Sequence, residues 1–146
     1  MPTVTVTIPN EFLDLFQKRA FAHFATIMAD GTPQITPVWV DYDAPYILVN
    51  SRMGRTKNAN VLKRPAVALE ISDPDNPYRY VMIRGTVIEI VTLTDTSHID
   101  SLALRYIGLA RYPWGAPDEV RQLFKIRPDH VVARVVVADP NNPLGH

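Results

Sequence analysis

The chain has 146 residues, 47% of them hydrophobic, with fifteen basic and fifteen acidic side chains and no cysteine. That length and content fit one domain with a real core. The balanced charge excludes a protein that coats nucleic acid non-specifically, and the missing cysteines exclude disulfides, thiolate metal sites and cysteine nucleophiles. No apolar run reaches the roughly 18 residues of a membrane span. The N-terminus MPTVTVTIPN has neither the basic nor the apolar region of a secretion signal, so a cytoplasmic location is expected.

In chain order, residues 1–9 read as an extended arm or edge strand. Asn10 is placed to cap a short helix over 11–19, with Phe12, Leu13 and Phe16 on one face. Phe21 to Met28 reads as a strand, Asp30-Gly31 as a hairpin turn, and Gln34 to Tyr42 as the answering strand. Asp43-Ala44-Pro45 turns the chain into a third strand, Tyr46 to Val49. A helix is predicted from Thr56 to Leu62, stopping before Pro65, and a fourth strand over Ala66 to Ser72. DPDNP at 73–77 is dense turn chemistry. Tyr78 to Val91 is a long strand in which Gly85 marks a bulge or a close backbone approach. Thr94 to Gly108 reads as a helix with Ile99, Leu102, Ala103 and Tyr106 on one stripe and Gly108 as its stop. A loop rich in Arg, Tyr, Pro and Trp follows, then a short helix over Pro117 to Phe124, a last strand over Lys125 to Ala138, and a loose tail. The thirteen prolines sit mostly in turns.

Six or so short, mostly antiparallel strands with a few small helices predict a mainly β fold, a β-barrel with peripheral helices. It forms a single domain over 1–146, with its core over about 10–138 and a flexible tail at 139–146.

The segment from Asn50 to Leu69 holds Arg52, Arg55, Lys57, Lys63 and Arg64 and no acidic residue. Cations and free N–H groups gathered where a strand ends and a helix begins suit an anion such as a phosphate. A solvated helix face is the plain alternative. Gly54 permits a close backbone approach, and Asn50, Ser51, Asn58 and Asn60 add neutral hydrogen-bonding groups. In QITPVW, Pro37 removes one ladder donor, which fits a protective edge strand or a strand facing a flat ring near Val38 or Trp39. The four histidines, His23, His98, His130 and His146, lack ligand spacing, so no metal site is expected; His23 reads as a packed core or interface residue. There is no Gly-x-Ser-x-Gly elbow, dinucleotide loop or Walker sequence. With no side-chain catalyst apparent, a phosphate-bearing cofactor that brings its own chemistry is the leading idea.

The order P-Q-x-T-P-V-W, then N-S-R-x-G-R-x-K-x-x-N-V-L-x-R-P-A-V-A-L, then D-P-D-N-P-Y-R-Y-V-x-I-R-G resembles the pyridoxamine 5′-phosphate oxidase-like, flavin-binding split-barrel superfamily. Within it, the DPDNPYRY segment followed by IRG looks most like the branch of small proteins that use the deazaflavin coenzyme F420. The similarity spans roughly residues 10 to 136. It implies a homodimer of split β-barrels with cofactor sites at the interface. Arg55 and Lys57 would hold the cofactor phosphate, supported by Asn50, Ser51 and Asn60. Gln34, Thr36, Pro37 and Val38 would line the ring and ribityl chain, and Tyr78 to Tyr80 would reach in from the second subunit. Arg52 or Lys63 would suit an oligoglutamate tail by charge. The implied chemistry is hydride transfer from reduced F420 to an electron-poor double bond, the proton coming from solvent, Tyr80 or Tyr106. Substrate selectivity would lie in the loops near Asp73 to Pro77 and Arg111 to Gly115.

The chain lacks the C-terminal Arg-x-His region of a true pyridoxamine phosphate oxidase. FMN in place of F420, a non-catalytic flavin, deazaflavin or haem carrier, and a ligand-free dimeric interaction protein stay open as rivals. The acid-free basic cluster opposes the last, because it repels itself without an anion.

Overall fold

A computed structural model describes residues 6–137 and 140–141. The expected arm at 1–9 lies partly outside this range, and residues 6–9 join no strand. The expected loose tail falls outside the described residues apart from Pro140 and Asn141.

Among the described residues, seven strands form one antiparallel sheet: β1 (Ala22–Ile27), β2 (Pro33–Val38), β3 (Asp41–Asp43), β4 (Tyr46–Arg52), β5 (Ala66–Asp73), β6 (Asn76–Thr92) and β7 (Arg121–Val135). They lie in the order β2-β1-β5-β6-β7-β4-β3. The helices are an N-terminal 3-10 helix (Asn10–Phe16), α1 (Thr56–Lys63) and α2 (Ser97–Ile107). The two edge strands, β2 and β3, are consecutive in the chain and joined only by Trp39 and Val40. The sheet is therefore curled but not closed, the split barrel anticipated from sequence. Its interior shows the curl: Phe24 of β1 and Phe124 of β7 are not on neighbouring strands, yet their rings meet at 6.2 Å.

The core holds Leu15, Phe16, Ile47, Leu69, Ile71, Ile83 and Ile126 around those two rings. The N-terminal 3-10 helix brings in Leu15 and Phe16, and strand periodicity places the others, as the strict alternation of burial along Ala66–Asp73 illustrates. The residues expected on one stripe of α2, Ile99, Leu102, Ala103 and Tyr106, are its buried face, and Gly108 ends it. Gly85 combines both meanings read from sequence. The register shifts beside it, and a Cβ there would lie 2.6 Å from the Arg127 carbonyl oxygen.

Four expectations are corrected. Asn10 is the first residue of the 3-10 helix, which has no side-chain cap; Pro9 precedes it. Gln34 to Tyr42 is two strands, because the chain turns a corner at Trp39 and Val40. That corner is held by α2: the Trp39 ring stacks on Tyr106 at 5.1 Å, and the Val40 N–H donates to the Tyr106 hydroxyl at 3.2 Å. Pro117 to Phe124 is no helix. Arg121 already pairs with Arg52 of β4, and Gln122 with Thr92 of β6, so two flanking strands override the local signal. His23 is not a core residue: it is half-exposed on the outer face of β1, where it pairs with Glu70 at 3.0 Å, a position that leaves its expected place in an interface open.

Candidate active site

Strand β4 ends at Arg52, the chain turns at Gly54 (φ +100°) and α1 starts at Thr56. That φ is the left-handed region where glycine is favoured. α1 docks by amides more than by apolar contact. The Ser51 hydroxyl donates to Asn58 Oδ1 at 2.7 Å, Asn58 Nδ2 donates to Gln122 Oε1 at 2.9 Å, and Asn60 Nδ2 donates to Thr26 Oγ1 at 2.9 Å. These bonds fix the direction in which the first turn points. Its N-terminus has no side-chain cap and no acidic residue, so its free N–H groups and partial positive charge are uncompensated.

This turn opens onto a pocket of about 310 Å³. One wall is cationic, with Arg52, Arg55, Lys57 and Arg121. Another is aromatic, with Phe21, Trp39, Tyr112 and Trp114. Pro37, Val38, Asn50 and Ser51 complete the lining along the strands. Glu119 serves Arg121 at 2.9 Å and Arg52 at 3.9 Å. Arg55 and Lys57 have no acidic partner among the described residues. Lys57 is only 8% exposed. Burial, and then the neighbouring Arg55 charge, hold its ammonium below the usual lysine range. A buried, unpaired cation is costly unless an anion joins it. The Thr36 hydroxyl of β2 is buried without a hydrogen-bond partner.

Six of the nine residues singled out from sequence therefore meet around one cavity: Pro37, Val38, Asn50, Ser51, Arg55 and Lys57. Gln34, Thr36 and Asn60 are not in its lining. Gln34 accepts from Thr26 Oγ1 at 3.3 Å, and Asn60 spends its amide on Thr26 and on Arg64. Arg64 also donates to the Ile27 carbonyl at 2.7 Å, so it ties α1 to β1. Arg79 is bound internally by Asp14 and Asp73. The Tyr106 hydroxyl donates to the Ala20 carbonyl at 2.7 Å, which makes it a strut of the fold. Of the two loops expected to shape selectivity, 111–115 supplies Tyr112 and Trp114 to this pocket and 73–77 supplies nothing.

Sequence reasoning missed Arg121 and His98. Arg121 was hidden inside the mistaken helix; the alternation of buried Phe124, Ile126 and Pro128 was the available signal for a strand. His98 Nε2 lies 3.0 Å from Asp41 Oδ2, and its Nδ1 lies 3.0 Å from Asn50 Nδ2. Arg121 donates to Asn50 Oδ1 at 3.1 Å. Burial raises the Asp41 carboxyl, but hydrogen bonds from His98 and the Tyr42 N–H, with the His98 and Arg105 charges, outweigh it and hold it below the usual carboxylate range.

The profile of the pyridoxamine 5′-phosphate oxidase family matches residues 8–134. The chain belongs to that family. A solved F420 reductase shares 33% identity with a TM-score of 0.76, over 86% of this chain and 98% of its own. HupZ from Group A Streptococcus (18% identity, TM-score 0.60, 88% of this chain and 95% of its own) and General Stress Protein 26 from Bacillus anthracis (16%, 0.58, 84% and 90%) share the fold. A search of the curated proteins gives no match. As a family member the chain joins a group of oxidoreductases on a flavin-binding fold. Among the described residues no three potential ligands gather for a metal, and no helix is long and apolar enough to cross a membrane.

Proposed function

We propose that this family member is a coenzyme F420-dependent reductase that passes a hydride to an electron-poor double bond of a small organic substrate. The observation that carries the reading is the pair Arg55 and Lys57, one buried and both without an acidic partner among the described residues, at the bare N-terminus of α1. These residues would hold the cofactor phosphate, Lys57 as a point charge and Arg55 as a directional fork. Asn50 and Ser51 would add neutral contacts, Thr36 has a free buried hydroxyl to offer, and Pro37 and Val38 would flank the ring. When bound, reduced F420 supplies the hydride. The chain's part is to orient the ring, exclude water with Trp39, Tyr112 and Trp114, and neutralise the anionic arm. The likeness to an F420 reductase over nearly all of that protein's length supports the choice of cofactor.

We further propose a homodimer that completes the site. Ile35, Ala25 and Ala68 lie side by side across the outer face of β2, β1 and β5, and Ile35 is 64% exposed, an apolar strip suited to a second copy. FMN is the second reading of the cofactor, favoured by the family match itself.

Side-by-side fluorescence titrations of ligand-free protein with F420 and with FMN test this. Tighter binding of F420 is expected, followed by oxidation of reduced F420 when electron-poor alkenes or quinones are added. Tighter FMN binding would transfer the chain to flavin chemistry, and binding of neither would end the anion-pocket reading.

A further inference from the structure

Between Asp41 and Arg121 runs a chain of hydrogen bonds through His98 and Asn50. Its two ends are one-way groups: a carboxylate only accepts and a guanidinium only donates. Every orientation in between is therefore determined. Arg121 requires an oxygen from Asn50, so the Asn50 nitrogen faces His98. A donating amide nitrogen requires a bare Nδ1, so the His98 proton sits on Nε2, where Asp41 accepts it. The chain is satisfied only while His98 is neutral.

A second proton on His98 lands on Nδ1 and meets the Asn50 NH2 group head-on. The amide relieves this by turning over and offering its oxygen to His98. Its NH2 group then faces the Arg121 NH1 group, two donors with no acceptor between them. Arg121 keeps Glu119 at 2.9 Å and its seat on the Tyr112 ring at 4.6 Å, but one edge of its guanidinium is freed in the pocket it lines.

We propose that His98 is a positioning residue for the anion pocket, and that its protonation turns the Asn50 amide and releases Arg121 to an anionic ligand. This rests on the reading that the pocket takes a phosphate-bearing cofactor. The charged groups around the switch are Asp41 on β3, held also by Arg105 of α2 at 3.7 Å, and Arg121 of β7 with Glu119 beside it. Asp41 stays ionised in both states, so it steadies the imidazolium and the change is transmitted toward Asn50. Histidine is the side chain whose unperturbed charge change falls between about pH 5 and 8, and that range sets the two pH values compared below.

Two measurements test this. In ligand-free protein labelled with 15N-histidine and 15N-asparagine, imidazole nitrogen resonances at pH 8 are expected to show the Nε2–H form alone, and the Asn50 side-chain amide signals are expected to shift as His98 titrates. An Nδ1–H form, or amide signals indifferent to that titration, overturns the proposal. In F420 titrations at pH 8 and pH 5.5, the wild type is expected to tighten about tenfold more than His98→Gln, the effect of one added charge in a partly screened pocket. An equal pH response in the two proteins overturns it. If neither F420 nor FMN binds at either pH, the cofactor reading has failed by itself, and the nitrogen resonances still decide the role of His98.

Discussion

Two clusters of charge sit in this molecule and are built on opposite rules. Where the 3-10 helix meets the β5–β6 turn, Lys18 and Arg79 are answered by three aspartates. Lys18 contacts Asp14, Asp73 and Asp75 at 3.1–3.4 Å, and Arg79 binds Asp14 at 2.6 Å and Asp73 at 2.9 Å while lying over the Phe12 ring. At the start of α1, Arg55 and Lys57 are left unanswered among the described residues, and the latter is buried. The first cluster fastens the N-terminal helix across the barrel. The second carries an electrostatic cost at Lys57 that a bound anion would offset. Basic residues alone do not distinguish the two; the presence or absence of partners does.

The sharpest way to break the comparison is to remove the charges from each side. Arg55→Ala with Lys57→Ala is expected to weaken F420 binding tenfold or more in a fluorescence titration, because charge-assisted bonds to phosphate contribute about 1.5–3 kcal/mol each. The thermal midpoint of the ligand-free double variant is expected to stay level or rise, since a buried unpaired cation has gone. A drop in midpoint with unchanged affinity would assign both residues to the fold.

Arg79→Ala is expected to do the reverse. It leaves Asp73, which is 5% exposed, with Lys18 as its remaining cation, and costs about 2–3 kcal/mol of stability in a urea titration, less than the roughly 3–5 kcal/mol of leaving a buried charge wholly unpaired. Cofactor affinity per folded molecule is expected to be unchanged.

The smallest effect sharpens the contrast through pH. For Asp73, burial raises the carboxyl, but the Asp75 N–H, Arg79 and Lys18 outweigh it and hold it below the usual range; for Asp14, the Arg79 hydrogen bond leads the same shift. A lowered carboxylate contributes stability that is full above its unfolded value and is lost as pH falls through the folded one. Stability is thus expected to decline below about pH 4, the ordinary carboxylate value, and Arg79→Ala is expected to flatten that decline. For Lys57 the sign is opposite. Its ammonium is disfavoured in the fold, so its penalty is fully present below the lowered value and fades as pH rises toward the usual lysine value.

What was legible in the sequence follows the same division between local and distant causes. The α2 stripe from Ile99 to Tyr106, the Asp30-Gly31 hairpin and the dual role of Gly85 are written in short-range periodicity and turn chemistry. The cationic turn was visible because Arg55, Lys57 and Gly54 are neighbours. The break in Gln34–Tyr42 was not, because its cause is Tyr106, more than sixty residues away. The false helix at Pro117–Phe124 yielded to pairing with β4 and β6, which no local window contains. His98 is not legible as a site residue because no local spacing marks it: its partners, Asp41 and Asn50, lie 57 and 48 residues away and include an amide.

The link at Trp39 and Val40 gives the chain an unusual vulnerability. Because those two residues alone join the sheet's opposite margins, the covalent backbone works there as a clasp where hydrogen bonds are missing. A circularly permuted protein opened at this point would lose the clasp, while one opened at the exposed 110–116 loop would keep it. The same amino acids would thus leave the seam to the grip of α2 alone in the first arrangement, and to backbone and helix together in the second.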